Sequence, residues 1–99
     1  ETAVFHQLRR LYLDRGERPN ISFWRTSSGH EVDFLVEDGG RLIPVEAKLT
    51  ATPKPRHAEG IEKLRRLLGE RVTKGIVVCM CDERRPLSRH ADAVPLGAF

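Results

Sequence analysis

At 99 residues, 39% hydrophobic and 31% charged, the chain is long enough for one modest core and reads as a single globular domain over residues 1–99. Its net charge of +3 is small. No apolar run approaches the roughly 18 residues a spanning helix needs, and no secretory signal pattern is present, so no membrane partner is expected.

Residues 2–15 put Val4, Phe5, Leu8, Leu11 and Tyr12 on one face of an amphipathic helix that stops before Gly16. A loop containing Pro19 leads to a strand over Ile21–Thr26, and Ser27-Ser28-Gly29 forms a turn. In the next run Val32, Phe34 and Val36 alternate with Glu31, Asp33 and Leu35, the period of a half-buried strand. Asp38-Gly39-Gly40 supplies the residues of a tight turn, and Leu42–Lys48 is the returning strand. Pro44 is a mild conflict there, because proline removes a ladder donor. Two prolines make Thr50–Pro55 a connector. Ile61, Leu64, Leu67 and Leu68 then mark a second amphipathic helix from about His57 to Leu68, stopped by Gly69. Ile76–Met80 is apolar throughout, as expected of a strand covered on both faces. The tail beyond Asp82 is rich in Arg and Pro, with Ala93–Leu96 as a short edge strand.

That order, α-β-β-β-α-β, predicts a three-strand meander, with a crossover through the second helix bringing the fourth strand parallel to the third. Cys79 and Cys81 would point the same way along one strand, poor geometry for a mutual disulfide. Two thiols are too few for structural zinc without His57 or His90. They are expected to be reduced, mostly buried residues of a cytoplasmic protein.

The chemistry concentrates in the hairpin. If Gly39-Gly40 is the two-residue loop, Asp38 pairs with Arg41 and Asp33 falls directly opposite Glu46. If Asp38-Gly39 is the loop, the two acids are diagonal neighbours on one face; an unbulged three-residue loop would separate them. Glu46 and Lys48, two apart, share a face in any register. Like charges opposite each other destabilise a sheet, and a divalent cation is the simplest compensation. Hard oxygen ligands suit magnesium or manganese, and a neighbouring lysine can orient water or stabilise charge at phosphorus. A solvated face, with the acids paired to Lys48, Arg25 and Arg41, is the plainer reading.

Residues 31–52 carry two bases against five acids, whereas residues 53–74 carry seven bases against three acids. An acidic patch framed by basic segments suits a metal-dependent phosphodiesterase, although Arg-rich helices also serve solubility. With one Trp and one Tyr, a stacking platform for single strands is disfavoured.

The element order, with Val32-Asp33 and Glu46-Ala47-Lys48 flanking the turn, resembles the PD-(D/E)XK nuclease fold of restriction endonucleases and archaeal Holliday-junction resolvases. More narrowly, Phe23-Trp24-Arg25-Thr26, Gly29-His30-Glu31-Val32-Asp33-Phe34 and Val45-Glu46-Ala47-Lys48 are together similar to an uncharacterised C-terminal domain. That domain follows the ATPase module in many bacterial and archaeal AAA-type ATPases. The resemblance implies a restriction endonuclease-like α/β fold, a mixed sheet flanked by helices, in a C-terminal fragment of a larger ATP-binding protein; an opening Glu1 in place of Met agrees with a fragment. It implies Asp33 and Glu46 as ligands of Mg2+ or Mn2+, Lys48 as the catalytic lysine, and Glu1 as the acid of the first helix near the metal. DNA is the expected substrate, and the upstream ATPase module of the same polypeptide the expected partner. Arg25, Arg56, Lys63 and Arg66 are the candidate contacts to the nucleic-acid backbone, and Arg25 is alternatively an ion-pair partner for Glu31. The pattern departs from the family in one respect: no proline precedes Asp33. Two functions remain open, a magnesium-dependent DNA nuclease and a non-catalytic nuclease-fold module that binds nucleic acid or protein.

Overall fold

The computed structural model describes residues 2–17 and 20–98, so Glu1 lies outside the described residues. Two helices, α1 (Thr2–Asp14) and α2 (Glu59–Leu68), lie against a mixed six-stranded sheet. The strands are β1 (Asn20–Arg25), β2 (Glu31–Asp38), β3 (Arg41–Ala47), β4 (Gly75–Cys79), β5 (Arg85–Ser88) and β6 (Ala91–Pro95). Their order across the sheet is β1-β2-β3-β4-β6-β5. The first three form the expected antiparallel meander, and β4 runs parallel to β3. The β3–β4 ladder begins at Val45, one residue beyond Pro44, so the missing proline donor falls outside it.

Each face of the sheet has its own core. Val32, Leu35, Leu42, Val77, Ala91 and Ala93 pack with Ile61 and Leu64 of α2. Val36, Val45 and Val78 pack with Val4, Leu8 and Tyr12 of α1, which recur at one per helical turn. Phe5 stacks on Phe34 with ring centroids 5.8 Å apart. Leu11 departs from the expected apolar face and is 49% exposed. In α2 the buried face is short: Leu67 and Leu68 are 56% and 43% exposed, and Val72, beyond the helix and bridged to Leu42, completes the core instead.

Three expectations are corrected by long-range pairing. The Ala93–Leu96 segment is not an edge strand: β6 is an interior strand, parallel to β4 and antiparallel to β5, which takes the edge. Arg85 and Pro86 in β5 are residues that blunt an exposed edge, which is why that segment reads as a tail. Burial on β6 includes Asp92, where burial alone would raise the pKa. Bonds and charge from Lys74 and Arg84 outweigh it and hold the carboxyl below its usual range.

Second, Val32, Phe34 and Val36 do not share one face. The β1–β2 ladder pairs Ser22 with Leu35 and Trp24 with Val32, so Asp33 and Phe34 together stand opposite Phe23. This bulge turns Val32 towards the α2 core with Leu35, leaving Phe34 and Val36 on the α1 side.

Third, Cys79 and Cys81 meet in a disulfide. Their Cα atoms are 5.5 Å apart, short of the roughly 6.6 Å spanned by two extended residues. The chain leaves β4 at Cys79, Met80 turns outward, and the side chains converge instead of lying parallel.

Helix α2 is fixed through its first turn. Glu62 accepts hydrogen bonds from Ser88 Oγ (2.6 Å) and the His90 amide (2.8 Å), tying the helix to the β5–β6 turn. In the same turn Gly60 packs directly on the Glu31 carbonyl of β2, where a Cβ has no room. Helix propensity alone would favour Gly60→Ala by about 1 kcal/mol. The backbone contact reverses that sign: the substitution should destabilise by about 1–3 kcal/mol, lowering the melting temperature by roughly 4 °C or more. An unchanged or raised melting temperature in a thermal scan would contradict this packing.

Candidate metal and phosphodiester site

The site begins with the turn. Gly39 and Gly40 have φ of 59° and 81°, the pair of positive values a two-residue hairpin loop demands. They set the register in which Asp38 pairs with Arg41 and Phe34 with Val45, the first of the two expected alternatives. One step further along that register, Asp33 faces Glu46. There the strands exchange side-chain bonds: the Asp33 amide donates to Glu46 Oε1 (2.6 Å), and the Ala47 amide donates to Asp33 Oδ2 (2.9 Å).

Each carboxylate therefore anchors the opposite strand's backbone through one oxygen. The other oxygen of each is not used in this exchange. Glu46 Oε2 lies 3.6 Å from Lys48 Nζ.

Glu46 is only 3% exposed. Burial, and then the charge of Asp33, push its pKa up from 4.5 to about 7, against the opposing pull of the Asp33 amide and Lys48. Asp33 is half-buried beside it. A carboxyl of this kind is a proton acceptor near neutrality, and any cation placed beside it favours the ionised form.

Glu46 and Lys48 line a cleft of about 180 Å³ with His30, Arg56 and His57. Asp33 opens into an adjoining hollow of about 290 Å³ with Phe23 and Arg25, and Glu31 borders both. Glu46 and Lys48 thus share one cleft, with Asp33 reaching Glu46 from the next. Arg25 pairs with Glu31 at 3.5 Å, the ion-pair alternative for both residues. Arg56 borders the cleft, and also a third hollow shared with Arg66 and His30. Lys63, half-buried on α2, lines none of the three.

Residues not singled out for the site from sequence also face the cleft. His57 Nδ1 accepts the Lys54 amide at 3.0 Å. With Nδ1 accepting, the ring proton sits on Nε2. Partial burial and the charges of Arg56, Lys48 and Lys54 lower its pKa, so the ring is a neutral donor. Its sequence signal is slight, a histidine two residues after the proline that opens the turn preceding α2.

Two carboxylates with spare oxygens match the one or two that magnesium takes while keeping its waters. Among the described residues, no three His, Cys, Asp or Glu side chains form a group able to hold a metal ion. A hollow of about 440 Å³ lies elsewhere, between α1 and the sheet, and its lining is mainly apolar.

Fold and site together define an α/β domain with a mixed sheet and an acidic pair beside a lysine. The chain belongs to the family described as Domain of unknown function (DUF4143), which matches residues 1–99. No curated protein and no solved structure matches it.

The raised pKa has a sign that can be tested. The folded state holds the Glu46 proton more tightly than the unfolded chain, so stability should fall as pH rises from about 4.5 to about 7. The contribution is on the order of 3 kcal/mol. Glu46→Gln should remove it, raising the melting temperature at pH above that window in metal-free buffer and flattening the profile. A Glu46→Gln profile that runs parallel to the wild type's through the window would refute the assignment.

Proposed function

We propose that this domain is a magnesium- or manganese-dependent nuclease that hydrolyses DNA phosphodiesters, with the site chemistry of the PD-(D/E)XK superfamily. Its place in the cell on this reading is the cytoplasm, beside the AAA-type ATPase module of the same polypeptide. One observation carries the proposal: Asp33 and Glu46 anchor each other's strands while Lys48 stands against Glu46.

Asp33 and Glu46 would hold the cation through the oxygens not engaged with the opposite strand's amides. Bound there, it supplies a water of lowered pKa and neutralises charge on the phosphate. Lys48 Nζ orients the attacking water or balances charge at phosphorus, and the His57 Nε2 proton is available to a phosphate oxygen. Arg56 and Arg66 border the approach and neutralise the adjoining backbone. Burial of Glu46 keeps its electrostatics strong, because little water screens it.

A second reading, a nuclease-fold module that binds nucleic acid or protein without cleaving, is favoured by the raised Glu46 pKa. A carboxyl half-protonated near neutrality and paired with Lys48 can be stable without a cation.

Incubating the full-length protein with branched and linear DNA plus magnesium or manganese separates the two. The nuclease reading expects cleavage that falls at least about 100-fold with Lys48→Ala or Asp33→Ala. Cleavage surviving either substitution would exclude this site as its source, and DNA binding with no cleavage of any substrate would favour the binding module.

A further inference from the structure

We propose that Cys79 and Cys81 form a reversible dithiol–disulfide pair whose state sets the position of the Lys48–Thr50 segment, a redox control on the site. Its effect on cleavage rests on the nuclease reading above; the pair and its coupling to Lys48 do not.

The Cα separation of 5.5 Å lies within the range that a disulfide bridges. The two cysteines are unequal. Cys79 is fully buried at the end of β4, whereas Cys81 is only half-buried beyond the turn. Cys81 is thus the sulfur an incoming disulfide reaches first. The Val94 carbonyl lies 3.8 Å from Cys79 Sγ and gives the reduced thiol an acceptor, so both states have a place in the core.

The coupling runs through the backbone on either side of Cys79. The Lys48 amide donates to the Val78 carbonyl (2.8 Å), and the Met80 amide donates to the Thr50 carbonyl (2.9 Å). Residues 78 and 80 therefore clasp the segment that carries the catalytic lysine candidate. Closing the Cys79-Met80-Cys81 ring fixes the direction of the Met80 amide; opening it lets Met80 turn and releases the Thr50 side of the clasp.

The exchange balances with a small-molecule disulfide such as oxidised glutathione. The Cys81 thiolate attacks one glutathione sulfur and expels the other as a thiolate. The Cys79 thiolate then displaces the bound glutathione from Cys81. The protein loses two protons and two electrons, and two glutathione thiols are released.

The full chain, equilibrated over a range of reduced-to-oxidised glutathione ratios, acid-quenched and alkylated, should pass from two labels to none in one step by intact mass. Two labels at every ratio, or glutathione adducts without ring closure, would overturn the pair. Backbone amide NMR reads the coupling without any substrate or metal: the Lys48 and Thr50 signals should shift between states while those of Gly39 and Gly40 stay. Shifts confined to residues 79–81 would overturn the coupling. In Cys81→Ser the redox-dependent shifts at Lys48 and Thr50 should vanish, and their persistence would also overturn it.

Discussion

The exchange of hydrogen bonds between Asp33 and Glu46 is the constraint on which the site depends. A β-ladder at this point would join backbone to backbone; here each strand is held by the other's carboxylate. Two acids on facing strands would ordinarily repel, and this arrangement gives each negative oxygen an amide donor worth more than a neutral one. The pairing requires one register, and the two positive-φ glycines of the turn select it. It also requires Asp33 to leave the regular pleat, which the bulge opposite Phe23 provides. A turn, a bulge and a pair of side-chain bonds are therefore one device. Glu46 is buried within it, and that burial, with the charge of Asp33, raises its pKa to about 7.

The surrounding fold supplies what the hairpin lacks. Strands β3, β4 and β6 run parallel, so Lys48, Cys79 and Pro95 lie at the same end of the sheet. Crevices outside the carboxyl ends of parallel strands are where α/β folds usually bind ligands. The connection into α2 brings Arg56 and His57 to that end, and Gly60 lets the helix approach the Glu31 backbone closely enough to border the cleft. The opposite core, built on Val4, Leu8 and Tyr12, holds the other face of the hairpin.

Much of this was legible because it is local. Gly39-Gly40 is a strong turn signal, and register arithmetic from it reaches Asp33 and Glu46 with no tertiary information. Ile61 and Leu64 carry a helical period whose face is then buried. What stayed hidden depends on distant partners. Arg84, Arg85 and Pro86 read as loop because nothing nearby shows that β6 will accept β5 as an edge. Asp92 argues against an interior strand until Lys74 and Arg84 arrive to neutralise it. The bulge at Asp33-Phe34 has no signature in a run that alternates cleanly. The meeting of Cys79 with Cys81 depends on where β4 ends, and a sequence pattern places element ends poorly. His57 joins the cleft only through the packing of α2.

If Asp33 and Glu46 act as one divalent-cation site, manganese reports on it directly. In amide NMR spectra titrated with substoichiometric Mn2+, signals of Asp33 and Ala47, whose amides the two carboxylates hold, should broaden first. Glu46→Gln should abolish that selectivity. Uniform broadening, no broadening, or the same response in Glu46→Gln would contradict a metal site at this pair.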